Sequence, residues 1–211
     1  PELLYTLCEF LVIVPIGIIC INGANLLDGL DTLSIKYSFV SNFLFFSLSI
    51  YLGLPDLMYF SLLSFLPLGA FYFYNKSPAK LYLGEVGGTV IGMNLLFMSI
   101  MLFDGYRGSK LYTNNIDAVA LAFMGMYLPA LELGVSFVRR MVNRKAPFFG
   151  DRLHLHYILV DHFGLKPQKA ASYAAFSHFI YIGLALGMLL NGSSPLAMFL
   201  TVSAVCLGSH Y

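Results

Sequence analysis

Residues 86–103 read V-G-G-T-V-I-G-M-N-L-L-F-M-S-I-M-L-F, without one charged side chain. A helix of this length crosses most of the roughly 30 Å of hydrocarbon in a bilayer, so the run predicts a transmembrane helix. Similar apolar runs lie near residues 4–22, 37–54, 57–74, 117–138, 170–190 and 195–211. The pattern indicates a series of membrane helices joined by polar segments.

The composition of the chain agrees with a membrane protein. Hydrophobic residues make up 58% of the 211 residues and charged residues 11%, and the mean hydropathy is +0.77. A soluble domain of this length could not bury so much apolar surface. The runs are too long for barrel strands. We predict an all-α integral membrane protein with about seven transmembrane helices. These form a single membrane domain over residues 1–211, which we expect to be a fragment because it begins at Pro1 without a methionine.

The basic residues predict the orientation in the membrane. When the polar segments alternate between two sides, segments 23–36, 75–85 and 139–169 fall on the same side. That side holds ten of the twelve Lys and Arg residues, and the other side holds Arg107 and Lys110. Cytoplasmic loops carry an excess of Lys and Arg, so we assign the three segments to the cytoplasm. No basic run interleaved with aromatic residues suggests nucleic acid as a partner.

The first polar cluster is N-G-A-N-L-L-D-G-L-D, residues 22–31, at the end of an apolar run. A carboxylate at a bilayer boundary is costly and therefore marks a functional candidate. On a straight helix Asn22 and Asp31 would point to opposite sides. We expect the helix to fray or bend at Gly23 and Gly29, so that both aspartates face one cavity. Carboxylates and amides suit Mg²⁺. The alternative is a solvated helix end whose side chains cap the backbone.

The second cluster is K-L-Y-L-G-E-V-G-G-T-V-I-G, residues 80–92, where Glu85 stands in the glycine-rich start of a membrane helix. Glycines permit close approach of a ligand, and a helix N-terminus offers free N–H groups to an anion. Glu85 would then add a carboxylate to a metal site. Alternatively, Gly87, Gly88 and Gly92 are helix-packing positions and Glu85 is a favourable charge at a helix start.

The third cluster is D-R-L-H-L-H-Y, residues 151–157. His154 and His156 share one face only if the segment is extended or irregular, because neighbours on a helix are three or four residues apart. Beside Arg152 they would bind the phosphates of a charged substrate. A zinc site is weaker, since no nearby Cys or third His completes a shell. A basic loop on anionic lipid headgroups is the other alternative.

Two further acids, Glu9 and Glu132, lie inside apolar runs. Such acids face a cavity, pair with a polar group or line a helix interface. They also leave open an ion-coupled transporter, although the paired broken helices of a repeat are not found in the sequence. For His162 and His178 we expect structural roles.

The three clusters resemble motifs of the polyprenyl-phosphate N-acetylhexosamine-1-phosphate transferases, which form glycosyltransferase family 4. The family pattern N-x-x-N-x-x-D-G-x-D-G-L resembles residues 22–33, and G-D-x-G-S-x-x-x-G resembles residues 84–92. The D-R-x-H-x-H stretch at residues 151–156 looks like the branch that uses undecaprenyl phosphate and N-acetylglucosamine. The motifs occur in the family's order.

The resemblance implies transfer of N-acetylhexosamine-1-phosphate, GlcNAc-1-phosphate in that branch, from a UDP-sugar to a polyprenyl phosphate with release of UMP. It implies a Mg²⁺-dependent enzyme, with Mn²⁺ as an alternative ion, in the bacterial inner membrane with its active face cytoplasmic, and it is compatible with a homodimer. The implied catalytic residues are Asp28 and Asp31, and the implied metal ligands are Glu85 and Asp28. The implied substrate-binding residues are Asn22, Asn25, Lys80, Arg152, His154 and His156.

Four positions depart from the family patterns: Thr32 replaces Gly, Glu85 replaces Asp, Gly88 replaces Ser, and Tyr157 stands where a further His is common. The family's adjacent Asp-Asp pair is absent from these residues, which we attribute to a missing upstream portion. The departures leave open a non-catalytic relative that binds nucleotide sugar or lipid phosphate.

Overall fold

The computed structural model describes residues 14–15, 17–19, 21–144, 146 and 154–210, and every regular element among them is a helix. The first helix, α1, is Gly17–Leu26, with Cys20 outside the described residues. The others are α2 (Leu33–Leu52), α3 (Pro55–Asn75), α4 (Gly84–Arg107), α5 (Asn115–Phe123), α6 (Tyr127–Val142), α7 (Leu155–Asp161), α8 (Pro167–Leu190) and α9 (Pro195–His210). The predicted all-α class is confirmed.

Helices α2, α3, α4 and α8 are long and apolar enough to cross a membrane, and a fifth span results if α5 and α6 are counted as one. The chain is thus a multi-span membrane protein, but the predicted number of about seven spans is not confirmed. Residues 195–211 yield only the shorter helix α9, and the run 117–138 is broken. Most of the run 4–22 lies outside the described residues.

Helix α2 lies at the centre of the bundle, in contact with α3, α4 and α8. Its Leu44 and Phe45 side chains are buried in the apolar core. Two of its buried polar side chains bond back to the helix: Ser38 Oγ donates to Ser34 O at 2.7 Å, and Asn42 Nδ2 donates to Ser38 O at 2.8 Å. Lipid offers no hydrogen-bond partners, so these bonds within the helix allow polar side chains to be buried in a membrane protein.

Asp117 connects two helices at the end of the bundle opposite the three polar clusters. Asp117 is buried in the first turn of α5, where its N–H donates to the Asn114 side chain at 2.9 Å. Its Oδ1 accepts a hydrogen bond from Leu196 N at 2.9 Å, in the first turn of α9. The carboxylate therefore joins the starts of two helices, at a position where α9 leaves backbone N–H groups without helical partners.

A sharp break separates α5 from α6, whose axes differ by 87°. Gly125 in the break lies against Phe45, and a Cβ there would collide with the ring. The Tyr37 hydroxyl donates to Gly125 O at 3.1 Å. That bond satisfies a carbonyl that loses its helical partner at the break. The bend carries Glu132 of α6 to the side chain of His154.

Candidate functional site

The turn at residues 27–32 separates α1 from α2, so the break predicted at Gly29 is confirmed, whereas the one predicted at Gly23 is not, because Gly23 lies within α1. Thr32 adopts a left-handed φ of 66°, which is uncommon outside glycine. Its N–H donates to Asn75 Oδ1 at 2.7 Å, and Asn75 Nδ2 donates to Leu81 O at 2.9 Å. The turn that carries both aspartates is thus tied to the loop between α3 and α4.

Asp28 connects this aspartate turn to the start of α4. Its Oδ2 accepts a hydrogen bond from Gly84 N at 3.2 Å, and its Oδ1 lies 3.4 Å from the Ser34 hydroxyl, which donates to it. Burial raises the pKa of the Asp28 carboxyl, the two hydrogen bonds lower it, and the charge of Asp31 raises it further. The net upward shift shows that burial outweighs the bonds that favour the carboxylate.

Asn25 packs directly onto α4 at Gly88. A Cβ at Gly88 would collide with Asn25 Oδ1, and a Cβ at Gly92 would lie 2.7 Å from Ile21 Cα. Small residues four apart permit such close crossing of membrane helices. The helix-packing interpretation is therefore confirmed for Gly88 and Gly92. Asn25 Oδ1 is buried and finds no hydrogen-bond partner among the residues that the structure describes.

The two glycines expected to bend the first helix have different roles. Gly23 lies within α1, and a Cβ there would sit 2.6 Å from the Pro129 carbonyl carbon of α6. Gly29 lies in the break itself. A Cβ at Gly29 would collide with His156 Nε2 and lie 2.8 Å from the Tyr157 hydroxyl oxygen. The aspartate turn therefore touches the third cluster directly.

The condition under which His154 and His156 can share one face, an extended or irregular backbone, is met at His154. His154 has an extended backbone (φ −86°, ψ 151°), and α7 begins at the next residue. The rings of His154 and His156 are consequently almost parallel, 5° apart with centroids separated by 5.7 Å. Both side chains are buried. Arg152, the third predicted phosphate ligand of this cluster, lies outside the described residues.

Glu132 is the site residue that the sequence marked least clearly. It is 2% exposed, and its Oε2 lies 3.1 Å from His154 Nδ1. Of the three alternatives for an acid in an apolar run, pairing with a polar group is confirmed. In the sequence, Glu132 could be noticed only as a charged residue inside an apolar run, because its partner His154 lies on another segment of the chain. Glu9, the second such acid, lies outside the described residues.

Three of the predicted site residues are exposed rather than packed between the aspartate turn and the histidine segment. Asn22 is exposed, and its Nδ2 donates to Ile18 O of its own helix at 2.7 Å. Lys80 and Glu85 are also exposed, although Glu85 follows the Gly84 that bonds to Asp28.

His178 has the structural partners expected of it. Its Nε2 lies 3.1 Å from Ser41 Oγ, and its ring stacks on Tyr37 with centroids 4.2 Å apart. The imidazole thus joins α8 to α2 inside the bundle.

Among the described residues, no three His, Cys, Asp or Glu side chains form a group that could hold a metal ion. The donors around Asp28 still fit a hard cation, because a half-buried carboxylate and the unpartnered Asn25 Oδ1 are oxygen ligands on neighbouring segments. Mg²⁺ is usually held by one or two carboxylates, with phosphate oxygens and waters completing its shell. The residues fit Mg²⁺ together with a phosphate-bearing substrate.

Comparison with known proteins gives a family and several relatives. The model of glycosyl transferase family 4 matches residues 2–103. The undecaprenyl-phosphate alpha-N-acetylglucosaminyl 1-phosphate transferase of Thermotoga maritima is 34% identical over 138 residues, covering 65% of this chain and 38% of the relative. A probable undecaprenyl-phosphate N-acetylglucosaminyl 1-phosphate transferase of Bacillus subtilis is 25% identical over 160 residues, covering 76% and 42%.

A phospho-N-acetylmuramoyl-pentapeptide-transferase of Staphylococcus carnosus is 32% identical over 168 residues, covering 80% of this chain and 46% of the relative. The chain spans less than half the length of these three relatives. No solved structure matches it significantly. The family match includes the aspartate turn and the start of α4, the two segments joined by the bond from Gly84 to Asp28. Over residues 2–103 the chain is therefore similar to glycosyl transferase family 4.

Proposed function

We propose that the complete protein transfers N-acetylhexosamine-1-phosphate, with GlcNAc as the sugar, from a UDP-sugar to undecaprenyl phosphate or another polyprenyl phosphate and releases UMP. The observation that carries the proposal is the junction at residues 27–32, where the aspartate turn contacts Gly84 on one side and His156 on the other. The names of the bacterial relatives supply the reaction class, because they are sugar-1-phosphate transferases that act on undecaprenyl phosphate.

In this reaction an oxygen of the lipid phosphate attacks the phosphorus attached to the sugar. A new P–O bond forms, the bond to UMP breaks, and its electron pair leaves with UMP. Both reactants are anionic, so the site must hold them together and offset their repulsion. We assign Arg152, His154 and His156 to the diphosphate or the sugar, because guanidinium and imidazole groups donate hydrogen bonds to phosphate oxygens.

We assign Asp28 and Asp31 to the nucleotide and the catalytic centre. Asn25, Asn22 and Lys80 complete the binding residues, and the unpartnered Asn25 Oδ1 is the buried acceptor among them. Asp28 and Glu85 would hold Mg²⁺, which supplies positive charge against the negative charge on the departing UMP.

The site belongs at the membrane boundary, because one substrate is soluble and the other is a lipid. The aspartate turn directly precedes α2 and contacts Gly84, the first residue of α4, so the junction lies at one end of two candidate membrane spans. Ten of the twelve Lys and Arg residues fall in the polar segments at this end. By the positive-inside rule this is the cytoplasmic face, in the inner membrane of a bacterium.

The test is UMP release by the purified full-length protein in detergent, supplied with UDP-GlcNAc, undecaprenyl phosphate and Mg²⁺. Asp28→Asn should lower the rate by about 100-fold or more, because it removes a carboxylate from the reacting centre. Asp104→Asn, an exposed acid at the far end of α4, is the matched control and should keep the parental rate. Chelation of Mg²⁺ should stop the parent.

The same experiment separates the alternatives. Binding of UDP-GlcNAc without UMP release at any Mg²⁺ concentration would refute the enzyme and favour a non-catalytic relative. Solute flux across reconstituted vesicles without UMP release would favour a transporter. No observation among the described residues favours the transporter, since Glu132 contacts His154.

A further inference from the structure

Glu132 is a buried acid that the proposed reaction does not use. It lies on α6 with 2% of its surface exposed, and His154 beside it is 3% exposed. A carboxylate buried in a membrane protein is costly unless it is paired and hydrogen-bonded. Retaining an acid here therefore calls for a role that an apolar side chain of similar size would not fill.

We propose that Glu132 is a positioning residue that orients the two-histidine segment for substrate. This inference rests on the proposed function, in which His154 and His156 meet the diphosphate or the sugar. Glu132 touches no proposed substrate group itself. It acts through His154, whose ring lies parallel to that of His156.

The first step is the orientation of the His154 ring. Glu132 Oε2 lies 3.1 Å from His154 Nδ1. An ionised carboxylate only accepts hydrogen bonds, so we assign the proton of the neutral ring to Nδ1 and the acceptor lone pair to Nε2. Ser136 Oγ lies 3.3 Å from the same Nδ1 and accepts a hydrogen bond from Arg139 at 3.3 Å. Two groups one turn apart on α6 thus fix one nitrogen of the ring.

The second step is the path from His154 to the aspartate turn. The His154 and His156 rings are 5.7 Å apart and nearly parallel, and His156 packs against Gly29. A shift of His154 therefore moves the ring that contacts the turn. The crevice beside these groups is mainly apolar. Its lining includes Leu27, Leu33, Leu128, Leu155, Glu132 and His156. Apolar walls keep water away and strengthen the hydrogen bond between the acid and the imidazole.

The third step is the support of α6 itself. Pro129, one turn before Glu132, lies against Gly23 of α1, the helix that leads into the aspartate turn. Tyr37 of α2 bonds to the break that precedes α6. Helix α6 is thus anchored to the helices on both sides of the turn, and its acid reaches the histidine segment. One element thereby sets the distance between the two halves of the site.

The test is a double-mutant cycle on UMP release with Glu132→Gln, His154→Gln and the pair. Glu132→Gln should lower kcat/KM for the UDP-sugar by about 10- to 100-fold, the range seen when the acid behind a metal-ligating histidine is removed. The KM for polyprenyl phosphate should stay within twofold, because the histidines are assigned to the sugar nucleotide. The pair should be no worse than His154→Gln alone. Asp104→Asn is the control and should match the parent.

Multiplicative losses in the pair would overturn the inference, because they would show that Glu132 acts independently of His154. If Glu132→Gln fails to fold, Glu132→Asp replaces it in the cycle with the same expected coupling. A second readout does not need activity: hydrogen–deuterium exchange of residues 154–161 should rise in Glu132→Gln and not in Asp104→Asn. Unchanged exchange would overturn the inference, whereas an inactive parent with raised exchange would refute only the proposed reaction.

Discussion

Replacing Gly29 with alanine should force apart the two halves of the proposed site. The added Cβ would collide with His156 Nε2 and lie 2.8 Å from the Tyr157 hydroxyl oxygen. Non-bonded heavy atoms at optimal contact are about 3.5 Å apart, so Tyr157 must retreat by about 0.7 Å and His156 by more. Gly29 does not have a positive φ, so the backbone accepts alanine and the effect is steric.

The size of the effect follows from this displacement. Overpacking a close contact costs about 1–3 kcal/mol, so the melting temperature in detergent should fall modestly. A displacement of about 1 Å among groups that position a substrate lowers a rate by about 100-fold, so UMP release should fall far more than stability. The assay pairs thermal unfolding with UMP release on the same purified full-length protein.

Two further variants make this prediction decisive. Gly134→Ala is the matched glycine-to-alanine control, because a Cβ at that position would have open space around it. It should keep full activity and gain up to about 1 kcal/mol of folding stability from helix propensity. Adding His156→Ala to Gly29→Ala removes the closer of the two collisions and should recover part of the lost stability without recovering activity. Full activity and an unchanged melting temperature in Gly29→Ala would refute the contact between the aspartate turn and the histidine segment.

Three other outcomes are expected. Burial raises the pKa of Asp28, so folding favours the protonated form of its carboxyl group. At pH values above that raised pKa the ionised carboxylate lowers the free energy of unfolding. This loss of stability disappears as the pH falls and the group is protonated. Asp28→Asn should therefore melt at the parental temperature or higher at neutral pH, with the difference closing in acid, and a clear loss of stability at pH 7 would contradict this. Thr32→Gly should stabilise the protein by up to about 1 kcal/mol in thermal unfolding, because a left-handed φ of 66° strains threonine. Asp117→Ala should cost about 1–3 kcal/mol, because Leu196 N loses its acceptor, while UMP release at the other end of the bundle is retained.

The helical class and the polar clusters follow from local sequence. A run such as residues 86–103 has to form a helix in lipid, because no water is present to satisfy its backbone. The break between α1 and α2 was predictable as well, since Gly29 stands in a cluster whose ends, Asn22 and Asp31, would point to opposite sides of a straight helix. The number of spans was not predictable, because the break at Gly125 depends on Tyr37 and Phe45, which lie far away in the sequence.

By itself, then, the sequence determined a helical membrane protein with three polar clusters on the more basic side and a likeness to one enzyme family. Only the tertiary structure brought Asp28 to Gly84, Gly29 to His156, and Glu132 to His154. Each of these contacts joins different elements of the chain, so no local periodicity can reveal it. Helix packing decides them: close crossings at glycines and the sharp turn into α6 set the distances at which the side chains meet.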